Sequence, residues 1–140
     1  MKIGHIEDGI VLDHITAGNS MNIYNILHLD KLDCTVALIK NAGSPKMGRK
    51  DIIKISTMMD LDLDILGYLD PGITVNVIRN GEVAERRHVA LPQRVIGVIQ
   101  CKNPRCITSV EREIVHEFKL TDPAKGVYRC IYCEQAAPRR

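Results

Sequence analysis

A chain of 140 residues with 45% hydrophobic and 26% charged side chains is long enough for one ordinary domain or two small ones around a buried core. That excludes a disordered chain and disfavours an elaborate multi-step enzyme. No apolar run reaches the roughly 18 to 20 residues that cross a bilayer, and Met1-Lys2 leads into Ile3-Gly4-His5 without a signal-type segment, so the expectation is a soluble, cytoplasmic protein with no membrane partner.

Residues 9 to 15, Gly-Ile-Val-Leu-Asp-His-Ile, open at a glycine and are rich in β-branched side chains, which predicts a first strand. Asn19 or Ser20 can cap a following helix that carries Met21, Ile23, Tyr24, Ile26 and Leu27 at helical spacing. A second strand is predicted over 33 to 40; within it Cys34 reads as a small buried hydrophobe with no chemistry. Residues 41 to 45, Asn-Ala-Gly-Ser-Pro, have the composition of a loop, and 51 to 55 that of a third short strand. Residues 61 to 69, with Asp60 as the cap, predict a second helix that stops before Pro71-Gly72. Strands over 73 to 78 and 82 to 88 flank Asn80-Gly81, a pair suited to a two-residue type I′ turn.

The order β-α-β-β-α-β-β predicts an α+β fold, a ferredoxin-like plait extended by one hairpin strand with both helices on one sheet face. Leu91-Pro92 ends it, giving a first part over 1–92 and a second over 93–140, where Val110 to Leu120 and Val127 to Tyr132 are the best strand candidates. Charge shifts at the same place: 1–92 carries ten Lys/Arg against twelve Asp/Glu, whereas 93–140 carries nine against five.

Four of the five cysteines lie in the second part, as Cys101-Lys-Asn-Pro-Arg-Cys106 and Cys130-Ile-Tyr-Cys133, with 23 residues between the pairs. Two short loops supplying two thiolates each are what a tetrahedral zinc site needs, so one structural Zn2+ per chain is expected on Cys101, Cys106, Cys130 and Cys133. Two disulfides are the competing reading, disfavoured by the odd cysteine count and the expected reducing compartment. A segment of fewer than 50 residues has a marginal core of its own, so the metal should supply much of its folding energy.

Other motifs carry less. Gly43-Ser-Pro-Lys-Met-Gly48-Arg49-Lys50 has the glycine spacing of a phosphate loop but lacks the Lys-Ser/Thr ending and a following helix. Asp13 and His14 have no nucleophile in an activating context nearby, which argues against a catalytic pair. Polar residues do interrupt apolar strands: Asp13 and His14 between Leu12 and Ile15, Lys54 between Ile53 and Ile55, Asn76 between Val75 and Val77. Each alone is compatible with a satisfied core group or a solvent-facing position. Together, an acid, an imidazole, an amide and cations on one sheet suit a sugar-phosphate ligand.

At this point the residues resemble the regulatory chain of aspartate carbamoyltransferase, over nearly the whole length. The resemblance rests on Val11-Leu-Asp-His-Ile15, Met47-Gly-Arg-Lys-Asp-Ile-Ile-Lys-Ile55, Thr74-Val-Asn-Val-Ile78 with Leu91-Pro92, and Cys101-x4-Cys106-Ile107 with Cys130-x-Tyr-Cys133-Glu134. It implies a non-catalytic subunit that binds nucleotide effectors of the CTP, ATP or UTP type and modulates a separate catalytic chain of pyrimidine biosynthesis. By that resemblance Asp13 and Lys54 would hold the ribose, His14 would lie near the phosphates and the backbone at Ile6 would read the base edge. Val11, Asn76, Ile78 and Val83 would line the pocket. Arg86 stands where relatives carry a phosphate-binding lysine. Asn103 and Glu134 would touch the catalytic chain, and a homodimer through the first part is expected because an open sheet leaves an edge to cover.

One register conflict accompanies this reading. A regular Asn80-Gly81 hairpin opposes Asn76 to Glu85 and aims Arg86 at the other face, so a bulge near Glu85 is needed for Arg86 to join the pocket. The alternative function is a free-standing zinc-ribbon protein that binds nucleic acid, favoured by the cationic second part. Against it stand the polar residues of the first part and the scarcity of base-stacking aromatics, with no Trp, one Phe and four Tyr. A small metalloenzyme is weaker still, because four thiolates close the zinc shell.

Overall fold

The computed structural model describes residues 7–138. The chain runs β1 (Gly9–Thr16), α1 (Ser20–Ile26), a 3-10 turn (Leu29–Lys31), β2 (Val36–Ser44), β3 (Gly48–Ile55), α2 (Leu63–Leu69), β4 (Thr74–Arg79) and β5 (Glu82–His88), then β6 (Arg94–Ile96), α3 (Ile107–Val110), β7 (Glu117–Asp122) and β8 (Val127–Cys130). Two antiparallel sheets result, one ordered β2-β3-β1-β4-β5 and one ordered β6-β7-β8. The first is the expected split βαβ plait with its extra hairpin strand, and the second is the small antiparallel sheet that carries the cysteines.

Alternation fixes which face of the large sheet is buried. Ile10 and Leu12 of β1 stand opposite Ile55 and Ile53 of β3 and Val77 and Val75 of β4, so these side chains share a face. Ile23 of α1 and Leu66 of α2 join the same core, fully buried with Leu12, Ile53 and Ile55. Val11, Lys54 and Asn76, offset by one, are left on the other face.

Several boundaries depart from the sequence expectations for local reasons. The predicted loop over 41 to 45 continues β2 as far as Ser44. Asn41 adopts φ 59°, the register shifts between Ile39 and Ala42, and the chain turns only at 45–47 before β3 starts at Gly48. Helix α2 starts at Leu63 because Asp62, not Asp60, caps it, its carboxylate accepting from the Asp64 and Ile65 amides. Cys34 lies just ahead of β2, half-buried against the core's rim. The predicted strand from Val110 begins only at Glu117; α3 and the charged stretch Glu111-Arg112-Glu113 occupy the interval. The Asn80-Gly81 turn is as read, with φ of 53° and 78°.

The two sheets meet where α2 packs against the segment leading to β6. The rings of Tyr68 and Tyr128 contact edge to face, centroids 5.0 Å apart, and the buried Tyr128 hydroxyl donates to the Pro92 carbonyl at 2.6 Å. Gly67, next to Tyr68 on α2, faces this segment directly: a Cβ there would lie 1.9 Å from the Ala90 carbonyl oxygen. Gly67→Ala must therefore push α2 off this segment, at a cost of about 1 to 3 kcal/mol. Thermal unfolding should show a midpoint several degrees below wild type; an unchanged midpoint would mean that the helix and the segment are not tightly docked.

Candidate functional site

The face of the large sheet opposite the helices collects the polar residues that interrupt its strands. Lys54, Val11, Asn76 and Arg86 form one row across four strands, since Val11 pairs with both Lys54 and Asn76, and Asn76 pairs with Arg86. Ile78 and Val83 are paired one rung further along. The Arg86 position depends on a bulge: Val77 opposes Glu85 but Ile78 opposes Val83, leaving Ala84 as the extra residue. The guanidinium Nε of Arg86 consequently donates to Asn76 Oδ1 at 2.9 Å.

A second bulge puts two adjacent polar residues on this face. Leu12 and Ile15 both point into the core, fully buried, with two residues between them instead of one, and the register with β3 shifts there. His14 makes this possible by adopting φ 59°, a left-handed conformation that non-glycine residues take rarely. Asp13 and His14 are thereby held together. The Asp13 carboxylate accepts from the His14 amide at 2.6 Å and pairs with Lys50 Nζ at 2.9 Å, while His14 Nδ1 lies 3.1 Å from Thr74 Oγ1. Burial pushes the Asp13 carboxyl up, but the hydrogen bonds from Lys50 and the His14 amide outweigh it and leave the group below its ordinary value. The face therefore presents an ionised carboxylate flanked by cations.

In the small sheet the sulfurs of Cys101, Cys106, Cys130 and Cys133 all lie within 4.8 Å of one another. Cys101 and Cys133 sulfurs are 3.6 Å apart, and those of Cys106 and Cys130 3.7 Å. Bonds of about 2.3 Å to a tetrahedral ion put sulfurs about 3.8 Å apart, so the donor set fits one zinc ion. Each pair is shaped by its own loop. The Cys101 amide donates to His116 Nδ1 at 2.9 Å, the Cys106 sulfur lies 3.0 Å from Thr108 Oγ1, and Glu134 closes the second loop at φ 64°, its amide bonding to the Cys130 carbonyl. Burial pushes the Cys101 thiol up to about 12. Burial acts the same way on Cys133, but hydrogen bonds led by the Asn103 side chain bring it down to about 7.

Residues 1–90 match the family model described as the aspartate carbamoyltransferase regulatory chain, allosteric domain, and residues 93–140 match the model for its metal binding domain. The chain belongs to the aspartate carbamoyltransferase regulatory chain family. A relative of that name from Clostridium acetobutylicum is 50% identical over 96% of this chain and 92% of its own length. Relatives with the same name from Clostridium tetani and Bifidobacterium longum are 47% and 42% identical, over 96% and 98% of this chain. A regulatory chain implies a catalytic-chain partner, and the metal that the second model describes is accounted for by the four thiols as a structural zinc.

Of the regulatory-chain site residues expected from the sequence, Val11, Asp13, His14, Lys54, Asn76, Ile78, Val83 and Arg86 lie on β1, β3, β4 and β5 as described, and Ile6 falls outside the described residues. Asn103 is half-buried in the first thiol loop, where its Oδ1 accepts from the Arg105 amide at 3.0 Å; Glu134 is exposed beside the second. Sequence reasoning missed Lys50 and Thr74. Residues 50, 52 and 54 of one strand share a face, so Lys50 is legible in principle, but the strand predicted from composition starts only at Asp51. Among the described residues no helix is long and apolar enough to cross a membrane.

Proposed function

We propose that this chain is a non-catalytic, cytoplasmic regulatory subunit of aspartate carbamoyltransferase that binds nucleoside triphosphates on the open face of its large sheet. The observation that carries this reading is the gathering of Asp13, His14, Lys54, Asn76 and Arg86 on one face by two bulges. An ionised carboxylate accepts hydrogen bonds from ribose hydroxyls; ammonium and guanidinium groups neutralise phosphates. Lys54 and Asp13 take the ribose, His14 and Arg86 lie toward the phosphates, and Val11, Ile78 and Val83 give the base an apolar seat, with the backbone at Ile6 completing the pocket.

On this reading 1–92 is the effector domain and 93–140 the zinc domain, held closed by Cys101, Cys106, Cys130 and Cys133 and set against the catalytic chain through Asn103 and Glu134. The Tyr68–Tyr128 contact and the Tyr128–Pro92 hydrogen bond give the effector domain a rigid grip on the zinc domain, a physical route for an effector to bias the catalytic interface. The two sheet edges differ. Strand β5 is exposed throughout and heavily charged, whereas β2 offers half-buried Val36, Ala37, Leu38 and Ile39. An apolar edge is the one that pairs with a second copy, which makes β2 the seam of a homodimer.

Lys54→Ala tests the pocket. Loss of one charge-assisted hydrogen bond, worth about 1.5 to 3 kcal/mol, should weaken nucleotide binding about 10- to 150-fold by calorimetry while the circular dichroism spectrum and zinc content hold. Equal affinity for CTP and ATP in mutant and wild type would remove Lys54 from the pocket.

A further inference from the structure

The outer face of the small sheet holds an arrangement that its own folding does not require. Arg94, Lys119 and Arg129 are direct cross-strand partners on β6, β7 and β8, all three exposed. Opposed side chains on neighbouring strands stand about 4.5 to 5.5 Å apart at Cβ, and like charges so placed repel. Internal compensation is partial. Arg94 pairs with Glu117, and Arg129 donates to the Glu134 carbonyl at 3.0 Å. Lys119, in the middle, has neither an ion pair nor a side-chain hydrogen bond among the described residues. The row lines a recess of about 580 Å³ whose walls include Thr121, Ile131 and Glu134.

We propose that this recess is an electrostatic docking surface for an acidic patch of the catalytic chain, an inference that rests on the reading of the protein as a regulatory subunit. Three features choose that occupant. Exposed cations on long side chains gain little from a small free anion that salt screens, whereas a protein surface engages several at once. Ile96 is 58% exposed on the same strand face as Arg94, and Ile131, 37% exposed, lies in the recess wall; such apolar groups serve a protein partner and not an oxyanion. The wall lacks any aromatic ring for base stacking, which disfavours a nucleic acid. Glu134 also ties the row to the interface proposed at the thiol loops, making the two surfaces continuous.

The test titrates the full-length chain against the catalytic subunit of the same source by sedimentation velocity, across salt from about 50 mM to about 500 mM, a range over which the screening length shrinks more than threefold. Lys119→Glu should weaken assembly at least ~10-fold at the low end, the gap from wild type closing at the high end. Lys119→Gln should fall between. Lys125→Glu, the same charge reversal in the turn before β8, serves as control and should assemble like wild type. Zinc content and nucleotide affinity of every variant should be unchanged. Assembly indifferent to Lys119→Glu, or lost equally with Lys125→Glu, overturns the docking surface while leaving the regulatory reading intact. A wild-type chain that ignores the catalytic subunit overturns both. Capture of duplex DNA that Lys119→Glu abolishes would assign the row to nucleic acid and overturn the proposal.

Discussion

Removing the zinc, or replacing Cys130 with Ser, should unfold the second sheet while the first stays folded. Among the described residues the second part buries seven hydrophobic side chains, Val95, Cys101, Cys106, Phe118, Leu120, Tyr128 and Cys130, and three of the seven are thiols. Thiolate zinc sites contribute about 10 to 16 kcal/mol of apparent binding free energy in small domains, more than a core of this size leaves after chain entropy. Without the metal, four thiols within 4.8 Å must be buried as weakly bonded neutral groups, or as thiolates that repel. Cys130→Ser should release one zinc per chain in a chromogenic chelator assay, strip amide-exchange protection from β6 to β8, and leave β1 to β5 protected. A metal-free wild-type chain with β7 and β8 fully protected would sink this expectation. Because Tyr128 would then leave Tyr68 and Pro92, a modest loss of protection at α2 should accompany the larger one.

How far the sequence reaches is set by how local each signal is. The cysteine pairs, the Asn80-Gly81 turn and the alternation of β1, β3 and β4 depend on residues next to one another, and all could be read directly. The bulges could not. His14 and Asn41 both adopt φ 59°, and neither conformation follows from its neighbours. Each is stabilised by a partner on another strand, Thr74 of β4 at His14 and Asp51 of β3 at the amide of Asn41. The conflict over Arg86 has the same character: strict alternation aims it away from Asn76, and only the extra residue Ala84 brings it back. The predicted loop at 41 to 45 failed for a related reason. Loop composition there reflects a strand that must bend around a bulge and then turn, so the glycine and asparagine mark irregular pairing and not its absence.

Loss of Asp51 should cost the first sheet heavily. The residue is fully buried, and its carboxylate takes hydrogen bonds from the Gly18 amide at 3.0 Å, the Ser20 amide at 3.2 Å, the Ser20 hydroxyl at 2.6 Å and the Asn41 amide at 2.8 Å. One side chain on β3 thus secures the loop after β1, the start of α1 and the bulge of β2. Asp51→Ala leaves those donors without their acceptor; at about 1 to 3 kcal/mol for each one that water does not reach, the variant should lose at least about 3 kcal/mol. That corresponds to a midpoint shift of roughly 12 °C or more for a unit of this size. Burial pushes the carboxyl up, but the Ser20 hydroxyl and the three amides outweigh it and hold the group below its ordinary value. Its contribution is therefore fully present above the ordinary aspartate range near pH 4 and disappears as pH falls through the lower folded value. Wild type should lose stability steeply as pH falls below about 4, and Asp51→Ala should show a shallower acid limb, to which Asp13, shifted in the same direction, still contributes. Urea unfolding at a series of pH values measures both. If the two proteins lost stability in parallel as the pH falls, the ionised form of Asp51 would not be what these donors bind, and the loop that follows β1 would owe its position to packing of Ile15 and Ile23 and to the Asp70 carboxylate, which accepts from the Thr16 amide at 2.7 Å.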